Sequence, residues 1–243
     1  VNEHRKARRH KMTKVKIIVT LSFLLASCLS SRPSLEIITL TGTRDLIPEG
    51  IAISNQKLFL SSIHSNKIIE VDLTNNSASD FIQSNGYGFK SGVGLFVQNG
   101  HLFALTNNLD LSTSALFIFD ISKRELINIY ELTDGKKHFL NDLAISSANE
   151  IFITDTEQNG IYKVNYPNGR IEEYYSSNTE INGPNGIAIS DDNSKLYVAT
   201  WKNGLRIIDI AKRELVNKSS PETMGIDGIK YYEKKIYAIK NGD

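Results

Sequence analysis

Side chains that carry oxygen donors recur along this 243-residue chain, each at the start of an apolar, strand-like run. Glu49, Val93, Asn141, Asn185 and Asp227, hereafter the mouth residues, hold corresponding places, and all but Val93 can donate an oxygen. Two carboxylates and two amides, with no His or Cys among them, suit a hard cation: Ca²⁺ first, then Mg²⁺ or Mn²⁺, rather than zinc. We therefore predict one divalent-metal site at Glu49, Asn141, Asn185 and Asp227, provided that the fold brings them together.

Turn chemistry alone could explain part of this series, because Asn and Asp are favoured in turns for their local hydrogen bonds. Glu49 argues against that explanation, since glutamate has no such preference. The mouth residues also differ from one another, as a single asymmetric site requires, whereas a purely binding repeat tends to keep one residue throughout. The pattern therefore favours a metal site over five unrelated turns.

The elements that must position these residues form an internal repeat. Successive mouth residues are 44, 48, 44 and 42 residues apart. Each repeat starts with an apolar strand, passes through a short polar turn into a second strand, and continues in further alternating runs. Four short strands in about 40–50 residues, joined by Asn, Gly and Asp turns, indicate an all-β fold of the β-propeller class. A β-sandwich, the main alternative, does not predict such a period.

A propeller would gather the mouth residues around one axis, because the innermost strand of each blade runs beside the central channel. Residues 35–243 form the predicted propeller domain, with length for about four blades and part of a fifth. We expect residues 35–40 to be an outer strand of a final blade that is missing here, and the chain to be a C-terminally truncated piece of a longer one. No segment outside the N-terminal region has sustained helical periodicity, so helices should be few.

The N-terminal region has the pattern of an export signal. A basic start precedes an apolar run over residues 17–26, which is shorter than the ~20 residues that span a bilayer but suits a signal peptide. The run ends in Leu-Ala-Ser-Cys28, which resembles a bacterial lipobox, so we predict lipidation of Cys28. Residues 1–28 would be an N-terminal extension and lipoprotein-type signal peptide, and 29–34 a tether. The alternative is a plain secretory signal.

Charge and cysteine content exclude several classes of function. After Cys28 the chain has 21 Lys or Arg and 26 Asp or Glu, and a mildly acidic body argues against a nucleic-acid partner. Cys28 is the only cysteine, so the body has no disulfide, no Cys-based metal site and no cysteine nucleophile. A Gly-x-Ser-x-Gly motif is missing from the sequence, which argues against a covalent serine route.

Four motifs together resemble the gluconolactonase/regucalcin (senescence marker protein) group, which has paraoxonase-like lactonases as relatives. They are PEGIAIS, FLNDLAIS, GPNGIAISDDNSKLYVA and GIDGIKY, and the resemblance covers roughly residues 46–240. It implies a six-bladed propeller with one divalent metal in its channel. Glu49 and Asn185 fall on metal ligands, Asp227 on a residue that is both ligand and proposed general base, and Asn141 on a place near the metal or the substrate.

One departure from the family bears on the substrate. Phe139 stands where the sugar-lactone members carry an Arg, which argues against a sugar acid. His138, the residue before it, is a candidate for substrate binding or proton transfer.

The resemblance implies a hydrolase of a small lactone or ester. The lipobox-like sequence predicts that it lies at the bacterial cell envelope, with a membrane contact only through the lipid on Cys28, and we expect a monomer. The metal would polarise the carbonyl and Asp227 would take a proton from the attacking water. A non-catalytic binding propeller of the NHL-like kind is the alternative. A strictosidine-synthase-like propeller without a metal is a third, weaker one.

Overall fold

Short alternating apolar runs form the strands, and asparagines turn the chain between them. In four repeats the hairpin that joins the first two strands has an Asn with φ between 51° and 61°, namely Asn55, Asn99, Asn149 and Asn193. Asn adopts this left-handed conformation more readily than most residues, because its short polar side chain can form local hydrogen bonds. The asparagine turns identified in the sequence therefore act directly as hairpin turns.

The computed structural model describes residues 16–19, 36–39, 46–217 and 221–241. Within these ranges the structure contains strands and two single-turn 3₁₀ helices, but no α-helix. The strands are β1 (Lys16–Val19), β2 (Glu36–Thr39), β3 (Pro48–Ser54), β4 (Lys57–Ser62), β5 (Ile68–Asp72), β6 (Ser77–Ile82), β7 (Ser91–Gln98), β8 (His101–Asn107), β9 (Ser114–Asp120), β10 (Glu125–Leu132), β11 (Leu140–Ile145), β12 (Glu150–Asp155), β13 (Gly160–Asn165), β14 (Glu172–Ser176), β15 (Pro184–Ile189), β16 (Lys195–Thr200), β17 (Gly204–Asp209), β18 (Glu214–Leu215), β19 (Ile226–Tyr232) and β20 (Lys235–Lys240).

Four antiparallel sheets of four strands follow one another along the chain: β3–β6, β7–β10, β11–β14 and β15–β18. A fifth unit consists of β19 and β20 alone. The first strands of successive units, β3, β7, β11, β15 and β19, pack side by side and are the inner strands. The all-β propeller with four blades and part of a fifth is therefore confirmed.

Apolar side chains fill the spaces between neighbouring blades. One cluster joins blades two and three through Leu105, Leu116, Leu143 and Ile153, all of which are buried. Comparable clusters lie between blades one and two, three and four, and four and the fifth unit. Burying one such side chain contributes about 1.5–3 kcal/mol, so blade stacking is the main stabilising contact of the fold.

Each inner strand has one residue more than the second strand of its unit over the same stretch of pairing, and this extra residue lies at the mouth residue. In the first blade Glu49 and Gly50 together oppose the single residue Ser61 of β4. The pairings β7–β8, β11–β12, β15–β16 and β19–β20 shift in register in the same way at their own mouth residues. Such β-bulges leave a residue unpaired and re-aim its side chain, which explains how the mouth residues turn away from the sheets.

The glycine after a mouth residue allows the next blade to approach closely. A Cβ on Gly94 would lie 2.6 Å from the carbonyl oxygen of Asn141 and 2.8 Å from Cα of Asp142. Gly50 and Gly186 face the backbone of the following blade in the same way. At these three positions the Gly therefore allows the observed spacing between adjacent inner strands, since a Cβ there would clash with the backbone of the next blade.

The described part of the N-terminal region consists of the two short strands β1 and β2. Cys28, the tether over 29–34 and most of the signal region lie outside the described residues. Strand β2 pairs with β1 in a separate two-stranded sheet, so the expectation that residues 35–40 complete a further blade stays a prediction. Among the residues described, none belongs to a helix long and apolar enough to cross a bilayer.

We expect Gly94→Ala to destabilise the propeller by about 1–3 kcal/mol, because overpacking against fixed backbone atoms displaces the neighbouring blade. Gly228→Ala is the matched control: it holds the same place in the fifth unit, and a Cβ there would meet no atom within 4 Å. Urea unfolding measures both. Equal loss of stability in the two variants would contradict the spacing role.

Candidate functional site

The four predicted ligands line one cavity of about 310 Å³ at the channel. Glu49, Asn141, Asn185 and Asp227 reach it from four different inner strands. Val93, the apolar mouth residue, is fully buried in the contact between blades two and three. The structure therefore brings together the side chains that the sequence singled out, in a space large enough for a small ligand.

Glu49 and Asp227 are the two carboxylates among the candidate ligands, and the charge of Asp227 acts on Glu49. Partial burial, and after it the negative charge of Asp227, raises the pKa of Glu49 above its usual value. Both effects disfavour the ionised form of Glu49, and a bound cation would reverse them. The pair is thus the negatively charged part of the candidate site.

The amide nitrogens of both asparagines are held by protein groups. Asn185 donates from Nδ2 to Oδ1 of Asp227, and Asn141 donates from Nδ2 to Oγ1 of Thr156 at 3.0 Å. The second oxygen of Asp227 accepts a hydrogen bond from Nδ2 of Asn241 at 3.0 Å. With the nitrogens occupied, the amide oxygens are the atoms left for a ligand, which is the orientation that a cation requires.

Carboxylates and imidazoles alone do not form a metal site in the described part of the chain. No group of three or more His, Cys, Asp or Glu side chains there is arranged to hold an ion. The candidate site therefore depends on the amide oxygens of Asn141 and Asn185 as much as on the two carboxylates. This composition fits an oxygen-preferring cation such as Ca²⁺ and does not fit zinc.

Threonine hydroxyls hold the asparagine-bearing strands in register between blades three and four. Thr154 Oγ1 accepts the backbone N–H of Asp142 at 3.0 Å and donates to the carbonyl of Asn185. Thr156 Oγ1 accepts from Asn141 Nδ2 and donates to the carbonyl of Pro184 at 2.7 Å. Sequence reasoning missed both residues, because nothing in their spacing reveals a contact across the blades.

Ser61 makes the same kind of bridge between blades one and two. Its hydroxyl accepts the N–H of Gly50 at 2.9 Å and donates to the carbonyl of Val93. Ser61 and Thr154 each stand opposite a bulge, and each joins that bulge to the mouth residue of the next blade. Hydroxyl bridges of this kind fix the bulges of Glu49 and Asn141 with local hydrogen bonds.

Asp142 and Lys230 are two further lining residues that sequence reasoning missed. Asp142 directly follows the mouth residue Asn141, whereas glycine follows the mouth residue in the other four units. This difference between the repeats is a signal in the sequence that could have identified Asp142. Its carboxylate accepts backbone N–H groups from Leu143 at 2.9 Å and Ile187 at 3.3 Å. The ammonium of Lys230 lies 3.7 Å from the same carboxylate.

His138 does not reach the cavity. Its side chain is fully buried, and its two ring nitrogens contact carboxylate oxygens of Asp155 and Asp134. The hydrogen bond with His138 lowers the pKa of Asp134. Asp155 also accepts the backbone N–H of Phe139 at 3.1 Å. His138 is therefore an internal support for the segment before β11, and this placement does not support the predicted contact with substrate.

In the presence of a chelator, we expect the stability of the wild type to fall, relative to Glu49→Gln, as the pH rises above 4.5. The raised pKa of Glu49 means that the folded state binds more protons than the unfolded state between 4.5 and the folded value, so deprotonation opposes folding. Urea unfolding between pH 4 and 8 measures the difference. Glu125→Gln, at an exposed position of β10, is the control. Parallel curves of stability against pH for the wild type and Glu49→Gln would contradict a raised pKa of Glu49 in the folded state.

Solved structures of several other proteins share this fold. The virginiamycin B lyase from Staphylococcus aureus, solved as an inactive variant with quinupristin, is 16% identical with a TM-score of 0.69, and the match covers 87% of this chain and 69% of that one. A gluconolactonase from Xanthomonas campestris is 14% identical with a TM-score of 0.62, covering 79% and 69%. A chain of a nidogen/laminin complex is 17% identical with a TM-score of 0.65, covering 82% and 72%. At these identities the likeness establishes the fold alone.

No curated protein sequence matches this chain. A family model does: the one described as SMP-30/Gluconolactonase/LRE-like region matches residues 47–228, which is more than half of the chain. The matched range begins just before Glu49 and ends just after Asp227, so it contains all four candidate ligands. The protein therefore belongs to the SMP-30/gluconolactonase/LRE-like family.

Proposed function

We propose that this protein is a divalent-metal-dependent hydrolase of a small lactone or ester. The observation that carries the proposal is the convergence of Glu49, Asn141, Asn185 and Asp227 on one cavity. Membership of a family that includes lactonases supports the reaction class. An NHL-like binding propeller, which does no chemistry, is the alternative that the experiment must separate.

The same four residues would hold the metal ion, with Ca²⁺ as the best match and Mg²⁺ or Mn²⁺ as substitutes. Two carboxylates balance the charge of a dication, and the two amide oxygens complete a protein donor set that leaves room for water and substrate. Bound there, the ion would act as a Lewis acid on the substrate carbonyl.

Asp227 is the residue that we assign to proton transfer. Hydrogen bonds from Asn185 and Asn241 hold its two oxygens, which fixes the carboxylate at the cavity wall. A carboxylate in this position can accept the proton of a water molecule that attacks the substrate carbonyl. Glu49, whose pKa is raised by burial and by Asp227, supplies charge to the ion site.

Isothermal titration of the purified full chain with Ca²⁺, combined with hydrolysis assays on a panel of lactones and esters, tests the proposal. We expect calcium binding, loss of hydrolysis on chelation, and a fall in kcat of at least about 100-fold in Asp227→Asn, as is typical when a general base is removed. Glu131→Gln, an exposed position of β10 outside the cavity, is the control.

Two outcomes would overturn this assignment. Hydrolysis that survives both chelation and Asp227→Asn would exclude the metal-assisted route. Ligand binding in the cavity without any hydrolysis would favour the NHL-like alternative.

We also propose export to the bacterial cell envelope with a lipid on Cys28, on the strength of the lipobox-like sequence before it. The acidic body supports a role without nucleic acid, and we expect a monomer. Metabolic labelling with palmitate should mark the wild type and leave Cys28→Ser unlabelled. Label retained by Cys28→Ser would contradict the anchor.

A further inference from the structure

Lys230 stands apart among the residues of the cavity. Of the described residues that line it, Lys230 is the single one with a basic side chain. It lies on β19, three residues after Asp227, and its side chain is about half exposed. A cationic group therefore faces the same space as the candidate metal ligands.

Asp142 is the acidic partner of the ammonium. Lys230 Nζ lies 3.7 Å from Oδ2 of Asp142, which belongs to β11, and β15 lies between β11 and β19. Asp142 is itself immobilised by the N–H groups of Leu143 and Ile187, and its side chain is only 16% exposed. Because this well-held carboxylate attracts the ammonium, the half-exposed lysine side chain is drawn towards the cavity.

The summed charge of the cavity would allow the ammonium of Lys230 to bind an anionic ligand. The cavity contains three carboxylates, those of Glu49, Asp142 and Asp227, and the ammonium of Lys230. A dication at the candidate site would bring this sum to zero, so a singly charged substrate is not repelled by the cavity as a whole. The ammonium has three N–H donors, and its contact with Asp142 at 3.7 Å is an ion pair that is too long for a hydrogen bond.

We propose that Lys230 determines specificity by binding a carboxylate on the substrate, so that the preferred substrates are lactones or esters that carry one carboxylate group. This inference rests on the proposed hydrolase function and adds the substrate class. A single point-like ammonium beside an acidic site suits a monoanion better than a phosphate, which bears more charge and favours several cationic partners.

The test compares 4-acetoxybenzoate with its methyl ester, since both present the same acetyl ester and differ in one carboxylate. We expect the wild type to have the lower KM for 4-acetoxybenzoate. In Lys230→Met the ratio of the two KM values should shift by about tenfold towards the methyl ester, as expected for the loss of a charge-assisted contact. Lys230→Arg should retain most of the preference, and Lys123→Met, in an exposed turn, should leave the ratio unchanged.

Binding separates this inference from the hydrolase proposal. Titration with 4-acetamidobenzoate and its methyl ester, in which an amide replaces the ester, reports carboxylate recognition without turnover. Tighter binding of the carboxylate by the wild type, lost in Lys230→Met, supports the assignment even where neither ester is hydrolysed. Equal binding of the two probes by the wild type, or an unchanged ratio in Lys230→Met, overturns it.

Discussion

The extra residue in each inner strand is the constraint on which the site depends. In a regular strand every residue pairs with the neighbouring strand, and side chains alternate between the two faces of the sheet. The bulge instead leaves Glu49, Asn141, Asn185 and Asp227 unpaired at the channel, while the glycine after three mouth residues, at positions 50, 94 and 186, lets the next inner strand approach. The mouth residue therefore determines the donor set of the candidate site, and the residue after it, where it is glycine, determines how closely the blades approach.

Much of this arrangement could be predicted from the sequence, because it is periodic. The strand order, the asparagine turns and the convergence of the four donors all follow from one pattern that recurs every 42–48 residues. The prediction of Val93 as a mouth residue without a donor role also agrees with its burial. Periodicity identifies equivalent places reliably, since each copy supports the interpretation of the others.

Contacts between blades could not be predicted in this way. Thr154 and Asp142 contact backbone groups of the neighbouring blade, and Lys230 lies next to Asp142 although it is 88 residues further along the chain. His138 was expected at the substrate because of its place near Asn141, yet Asp134 and Asp155 hold its ring inside the protein. Pairings of this kind depend on side-chain direction in three dimensions, which spacing along one chain does not contain.

Each of the four oxygen donors belongs to a different unit, so no single blade contains the whole candidate site. The distance between donors of different blades depends on how tightly the blades stack, and so on the apolar contacts between them. Substitutions in those contacts would widen or narrow the ring of oxygens without touching any of them. At the proposed metal site, discrimination between ions of different radius would then be a property of the whole propeller, set by the contacts between its blades.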